Sequence, residues 1–185
     1  ATLHNFDEIE KKDIREGDKV EIQRAGDVIP QVLKVIKKAK KRKNLIKPPS
    51  HCPSCSSETI KEKDEAVIRC TNSVNCDAQI VGALIHFVSK KSLNIEGLGE
   101  KQILQFYNLD CIKNFEDIFY IERYKKKILK LDGWGELSFN NLIKSINISK
   151  KIELDKFIFS LGIRYVGETL SSVIAKEFIT VNTFI

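Results

Sequence analysis

Residues 1–36 have strand character, with apolar and polar residues alternating with the period of β-strands. In GDKVEIQ (17–23), Val20 and Ile22 alternate with charged or polar neighbours. The stretch VIPQVLKVI (28–36) is rich in β-branched residues, which are common in strands. Gly17–Asp18 and Gly26–Asp27 are typical turn sequences next to these stretches. The pattern predicts two or three strands, too few to close a barrel by themselves.

From Ala78 onward the apolar residues recur with a helical period. They first fall on one face at Ile80, Leu84, Phe87 and Val88. Short helical stretches then alternate with glycines to the end of the chain. With 185 residues, this pattern predicts an α+β protein of two or three small units.

Two glycine-containing segments are near copies, LNIEGLGE (93–100) and LKLDGWGE (129–136), and LGIRYVGE (161–168) is a weaker third copy. Each copy lies between helical stretches, which is the pattern of a helix–hairpin–helix. Glycines allow a positive φ and a close approach of backbone to a ligand, and the amides that open the next helix favour a phosphate. The repeat therefore predicts contacts to the backbone of duplex DNA, whereas the alternative is that the glycines only join packed helices. Because Tyr165 replaces the first glycine, we expect an altered third turn.

Four of the five cysteines form a cluster with the spacing C-x2-C-x14-C-x5-C: Cys52, Cys55, Cys70 and Cys76. Four thiolates with this spacing fit one tetrahedral structural zinc ion, with no position left for a catalytic water. The alternatives are two disulfides or four buried thiols. His51 adjoins the cluster as a bystander, and Cys111 stands among apolar residues, which indicates a core position.

The net charge of +6 is concentrated in one run. Residues 34–47 hold eight basic and no acidic side chains, which favours a polyanionic partner, although a solvated linker has the same composition. No apolar run approaches the roughly 20 residues of a membrane span. No signal peptide is recognisable, and spaced cysteines suit a reducing cytoplasm. The chain has no methionine, so we expect it to be an internal piece of a longer protein.

In this order, the parts resemble the second half of bacterial NAD-dependent DNA ligases. ATLHN (1–5) and RAGDVIP (24–30) are similar to the end of their OB domain, the cysteine spacing matches their finger, and HFVSKKSLNIEGLGEK (86–101) is similar to their hairpin domain. The resemblance implies an α+β multidomain chain: part of an OB-type β-barrel (1–47), a small four-cysteine zinc finger (48–78) and an all-α domain with three of four helix–hairpin–helix motifs (79–185).

The family seals nicks in duplex DNA with NAD and Mg²⁺, so the resemblance implies a DNA-binding portion that binds structural Zn²⁺ but neither NAD nor Mg²⁺. Its implied partners are nicked duplex DNA and a nucleotidyltransferase domain of the same protein, with no membrane, in a monomer in the bacterial cytoplasm at the nucleoid. The expected DNA contacts are Arg24, Val28, Ile29, Gly97, Gly99, Gly133, Gly135, Arg164 and Gly167.

We expect no catalytic residue in the chain. Lys130-Leu131-Asp132-Gly133 matches the K-x-D-G motif that carries the adenylated lysine of the family. It lies within the second hairpin, however, where nothing nearby would activate a lysine. The alternatives to a ligase are a non-catalytic DNA-binding adaptor with a zinc knuckle and a subunit of a repair nuclease.

Overall fold

An antiparallel strand pair organises the first of two units, Ala1–Ser73. The computed structural model describes residues 1–3, 5–24, 29–63 and 65–178. In it, β1 (Lys19–Gln23) pairs with β2 (Gln31–Lys37). The register shifts between Glu21 and Ile22. Val20 packs against the small core of this unit, whereas Ile22 is 55% exposed.

Helix α1 (Phe6–Lys11) covers the strand pair, and the side chain of Asn5 caps it by accepting the N–H of Asp7 at 2.9 Å. The core they share is small, and its buried members are Ile9, Ile14 and Val32. Among the described residues up to Lys37 there is one sheet, and it has two strands, so the barrel stays a prediction.

The cysteine segment contains the second strand pair. Here β3 (Thr59–Lys61) runs antiparallel to β4 (Ile68–Cys70). Each strand has only three residues, and neither contributes to a hydrophobic core among the described residues. Local hydrogen bonds and the cysteine cluster are therefore what organises this segment.

The second unit, Val74–Ile185, is helical throughout its described part. Its helices are α2 (Asp77–Val88), α3 (Glu100–Asn108), α4 (Phe115–Phe119), a 3₁₀ turn (Ile121–Tyr124), α5 (Lys125–Ile128), α6 (Glu136–Ser149), α7 (Leu154–Ser160) and α8 (Glu168–Phe178). The largest fully buried side chains of its core include Phe106, Phe139 and Leu84. Residues with helical spacing thus form the core of this unit, as the pattern predicted.

Several sequence-based expectations are confirmed in this unit. Leu84, Phe87 and Val88 are buried, and Ile80 packs against them. Cys111 is 1% exposed, so it is a core residue. The molecule is a mixed α/β structure with small sheets. No helix in the described part of the chain has both the length and the apolar character needed to cross a membrane.

Candidate metal centre and the repeated turns

The four cysteines of the predicted cluster lie together. Their Sγ atoms all lie within 4.8 Å of one another, and those of Cys55 and Cys70 are 3.4 Å apart. Four sulfurs at about 2.3 Å from one zinc ion in a tetrahedron would be about 3.8 Å from each other. The sulfurs therefore fit a tetrahedral ion with little movement, and four protein ligands leave it no open position.

Local backbone hydrogen bonds hold the first two cysteines in a tight turn. The N–H of Ser56 donates to the carbonyl of Cys52 at 2.8 Å, and the N–H of Cys52 donates to Ser57 at 2.7 Å. Ser56 has a positive φ of 59°. This turn brings the sulfurs of a C-x2-C pair to the same side. The ring of His51 contacts the hydroxyl of Ser50 at 3.0 Å instead.

The electrostatics of the cluster favour a cation. Desolvation, together with the nearby Cys55 and Cys52, raises the pKa of the Cys70 thiol to about 11, although the N–H of Asn72 opposes this shift. Four crowded thiolates are therefore unfavourable at neutral pH unless a metal ion compensates their charge. No disulfide joins any of the five cysteines, each of which lies within the described residues, so the structure does not adopt the disulfide alternative.

The three glycine repeats share one turn geometry. In each turn the N–H of the sixth repeat residue donates to the carbonyl of the third: Leu98 to Ile95 at 3.3 Å, Trp134 to Leu131 at 3.1 Å and Val166 to Ile163 at 2.9 Å. The fifth residue has a positive φ each time, 83° at Gly97, 79° at Gly133 and 67° at Tyr165. A positive φ confined to the third residue of a four-residue turn defines type II.

The expectation of an altered third turn is wrong. Tyr165 adopts the backbone conformation of the glycines it replaces, and the turn keeps its hydrogen bond. The ring is 73% exposed, with the guanidinium of Arg164 4.8 Å from its centre. A bulky residue rarely has a positive φ, so Tyr165 is a strained residue.

Each turn leads directly into a helix at its last glycine. Gly99 and Gly135 are the N-caps of α3 and α6, with ordinary negative φ values of −90° and −131°. Gly167 precedes α8, and the N–H of Ser171 donates to its carbonyl at 2.9 Å. The first amides of a helix have no partner within the helix. In the second turn, however, Ser138 Oγ accepts the N–H of Gly135 at 2.9 Å.

All the predicted turn contacts are exposed. This holds for Gly97, Gly99, Gly133, Gly135, Arg164 and Gly167. Of the three contacts predicted in the strand unit, Arg24 is exposed and Ile29 is 64% exposed. Val28 lies outside the described residues. Lys130 is exposed next to the second turn, where Gly133 has its positive φ.

Sequence reasoning missed an ionic cluster that engages the basic run. The guanidinium of Arg42 lies 2.6 Å from Asp13 Oδ2 and 2.8 Å from Asp18 Oδ2. It holds the pKa of the Asp13 carboxyl far below its usual range and lowers that of Asp18 to about 2. Lys34 pairs with Glu21, Lys38 with Asp13 and Lys43 with Glu16. Half of the eight basic residues therefore pair within the chain.

Two domain types are defined by matches to family models. Residues 1–44 match the NAD-dependent DNA ligase OB-fold domain. Residues 51–78 match the NAD-dependent DNA ligase C4 zinc finger domain. The class of molecule is thus an OB-fold domain followed by a four-cysteine zinc finger, and the cofactor of the finger is structural Zn²⁺.

Curated relatives extend the similarity over the whole chain. The chain is 45% identical over 180 residues to a DNA ligase of Gluconobacter oxydans, covering 97% of the chain and 26% of that protein. It is 47% identical over 191 residues to a DNA ligase of Afipia carboxidovorans, covering 100% of the chain and 27% of the relative. It is 48% identical over 186 residues to a DNA ligase of Ehrlichia canis, covering 97% of the chain and 27% of that protein.

The chain therefore contains the OB-fold and C4 zinc finger domains of NAD-dependent DNA ligases, and its similarity to DNA ligases extends over its whole length. It spans about a quarter of the length of the curated relatives that it matches. The resemblance seen in RAGDVIP and in the cysteine spacing is confirmed by the two domain matches, which cover those residues.

Proposed function

We propose that the chain is the DNA-binding portion of an NAD-dependent DNA ligase that seals nicks in duplex DNA during replication and repair. The observation that carries this proposal is the similarity to DNA ligases along the whole chain, at 45–48% identity in the relatives compared. Domains of this kind serve to hold the nicked duplex while other residues carry out the reaction.

The three repeated turns are proposed as helix–hairpin–helix motifs that bind phosphates. Exposed glycines at 97, 99, 133, 135 and 167 let the backbone approach a phosphate closely, and Arg164 adds a charge at the third turn. A Cβ built at Gly97, Gly133, Gly135 or Gly167 would meet no atom within 4 Å. The space above these turns is therefore open to a ligand. Arg24, Val28 and Ile29 are proposed as further DNA contacts in the OB part.

The four clustered cysteines are proposed as the zinc ligands of the finger. When bound, the ion supplies structure and no reaction chemistry, since four thiolates saturate it. The finger segment has no hydrophobic core among the described residues, so the ion contributes much of its folding free energy. The proposed domains are the OB part at 1–47, the finger at 48–78 and the hairpin domain at 79–185.

We expect one zinc ion per chain. Cys111→Ser should keep this stoichiometry, because Cys111 lies in the helical core. Cys55→Ser should reduce the zinc content to well below one and loosen the finger. Elemental analysis of purified, folded protein measures both. Folded wild-type protein without metal would contradict the assignment of the ligands.

The isolated chain is proposed to bind DNA as a monomer without ligating it. The reaction needs an adenylated lysine, and Lys130 lies exposed beside a turn rather than in a nucleotide pocket. NAD, Mg²⁺ and the nucleotidyltransferase domain are thus proposed as parts of the longer enzyme. The free cysteines suit the bacterial cytoplasm, where DNA would keep the protein at the nucleoid.

A chimeric enzyme tests the proposed function. The part of the Gluconobacter oxydans ligase that aligns with this chain would be replaced by this chain, and joining of a nicked duplex would be measured with NAD. We expect nick joining, with a raised KM for nicked DNA when Gly99 and Gly135 are both changed to alanine. A folded chimera that is adenylated by NAD and binds nicked DNA without joining it would overturn the proposal and favour an adaptor or a nuclease subunit.

A further inference from the structure

A short hydrogen bond connects the third helix to the residue that follows the last cysteine of the finger. The hydroxyl of Tyr107 on α3 donates to Asp77 Oδ1 at 2.6 Å. Tyr107 is 7% exposed and belongs to the hydrophobic core of the helical unit. Asp77 is the first residue of α2. A bond of this length to a carboxylate is charge-assisted and stronger than one between neutral groups.

The same helix start holds Cys76 through its backbone. Cys76 is the N-cap of α2 and is 0% exposed. Its carbonyl accepts the N–H groups of Gln79 and Ile80, both at 2.9 Å. The first turn of α2 has no side-chain cap from Cys76. The Asp77 carboxylate, held by Tyr107, therefore connects this turn to the core of the helical unit.

The position of Tyr107 is itself tightly defined. Its neighbour Phe106 is 0% exposed and packs against Trp134, with the ring centres 5.2 Å apart. The ammonium of Lys113 lies 3.8 Å from the centre of the Tyr107 ring. A phenol held by packing and by a cation on its face is a rigid donor. Asp77, in contrast, is an exposed residue at a helix end, where helices otherwise fray.

We propose that Tyr107 is a positioning residue for the metal site. Through Asp77 it holds the first turn of α2, and with it the Sγ of Cys76, where the ion is bound. The proposal rests on the assignment of the four cysteines as zinc ligands. Groups behind metal ligands commonly change metal affinity by about 10-fold or more when they are removed.

Tyr107→Phe removes the hydroxyl and keeps the ring, so it is the first test variant. Tyr124→Phe is the matched control, because Tyr124 packs on the same core without a hydrogen bond of its hydroxyl among the described residues. We expect transfer of zinc to a chromophoric chelator to be about 10-fold faster in Tyr107→Phe and unchanged in Tyr124→Phe. Asp77→Ala should accelerate the transfer similarly, and the double variant should show no further acceleration.

Alkylation of individual cysteines separates positioning from general loosening. In the zinc-loaded chain with iodoacetamide, peptide mass spectrometry should show Cys76 of Tyr107→Phe reacting several-fold faster than in the wild type. Cys111, in the helical core, should react no faster. Equal acceleration at Cys76 and Cys111 would show a structural role and overturn the proposal, as would unchanged zinc transfer. Wild-type protein that binds no zinc would overturn the ligand assignment as well, so the two failures are distinguishable.

Discussion

At the scale of single residues, Arg42 shows that a basic run in the sequence need not be available to a partner. The composition of residues 34–47 indicates a surface for a polyanion, yet Arg42 is directed at Asp13 and Asp18 of the same unit. The partners are 29 and 24 residues away in sequence, so no local pattern could predict the pairing. Among the described residues, Lys37, Lys40, Lys41 and Lys47 of the run form no ion pair, and they are the ones left for DNA.

Arg42→Gln should lower the melting temperature at pH 7. Arg42 lowers the pKa values of Asp13 and Asp18 in the folded state, that of Asp18 to about 2. In the unfolded chain the pKa of an aspartate is about 3.9. Their contribution to stability is therefore present above about pH 4 and is lost as the pH falls toward 2. The variant should lose less stability than the wild type between pH 5 and pH 2, as measured by thermal unfolding.

Lys34→Gln is the control for Arg42→Gln. Lys34 pairs with Glu21 across the same strands, but its side chain is 73% exposed, so its loss should matter little. Zinc loss in acid affects all three proteins and cancels in the comparison. If Arg42→Gln melts like Lys34→Gln at every pH, the ionic cluster does not stabilise the unit.

Tyr165 is a strained residue, and Tyr165→Gly should stabilise the helical unit by about 1 kcal/mol. A positive φ costs an ordinary residue roughly 1–2 kcal/mol, part of which is offset by the greater freedom of glycine in the unfolded chain. Thermal unfolding of the variant and of Tyr165→Ala tests this. Alanine loses the ring but keeps the unfavourable φ. Equal stability of the two variants would show that the backbone of the third turn is not strained.

At the scale of elements, the hydrophobic periodicity and the glycine-containing repeat predicted the architecture better than single residues did. The helical spacing of Leu84, Phe87 and Val88 placed α2 on the core, because burial of one face is what the 3.6-residue period encodes. The repeat predicted the positions of all three turns. The conformation of the third turn was not predicted, because Tyr165 stands where the other two copies have glycine. The register shift between Glu21 and Ile22 has no local signal, and it left an apolar residue exposed.

Alanine at the last glycine of each turn should weaken DNA binding without unfolding the chain. Gly99 and Gly135 have negative φ values, and a Cβ at Gly99 would meet only the end of Gln102 at 3.4 Å. The extra methyl group therefore strains nothing but stands where a phosphate would approach. We expect Gly99→Ala, Gly135→Ala and Gly167→Ala each to weaken duplex binding several-fold, since all three turns share one geometry.

Gly82→Ala is the matched control for the turn variants. It lies within α2, and a Cβ there would meet no atom within 4 Å. Binding titrations at one salt concentration, with circular dichroism to confirm folding, measure the effect. If the turn variants bind DNA as well as Gly82→Ala does, the turns do not contact the phosphates.

At the scale of the whole molecule, the sequence alone located the four-cysteine cluster and the three repeated turns. The spacing of the four cysteines was sufficient to predict the metal site, because a tetrahedral zinc ion needs two pairs of cysteines that can come together. The Tyr107–Asp77 bond was not predictable, since it joins two helices whose packing no sequence pattern specifies. The distribution of charge along the sequence predicted the candidate DNA surface only in part. The basic residues of 34–47 are neutralised wherever the fold brings acidic side chains near them.

The zinc-loaded chain is proposed to hold duplex DNA through its phosphates. Titrations of two labelled duplexes of unrelated sequence, each at several salt concentrations, test this proposal most directly by fluorescence anisotropy. The account predicts equal affinities for the two sequences and a linear loss of log affinity with log salt, by about 0.9 for each phosphate neutralised, over several phosphates. Affinity that does not change with salt, or a strong preference for one sequence, would contradict it.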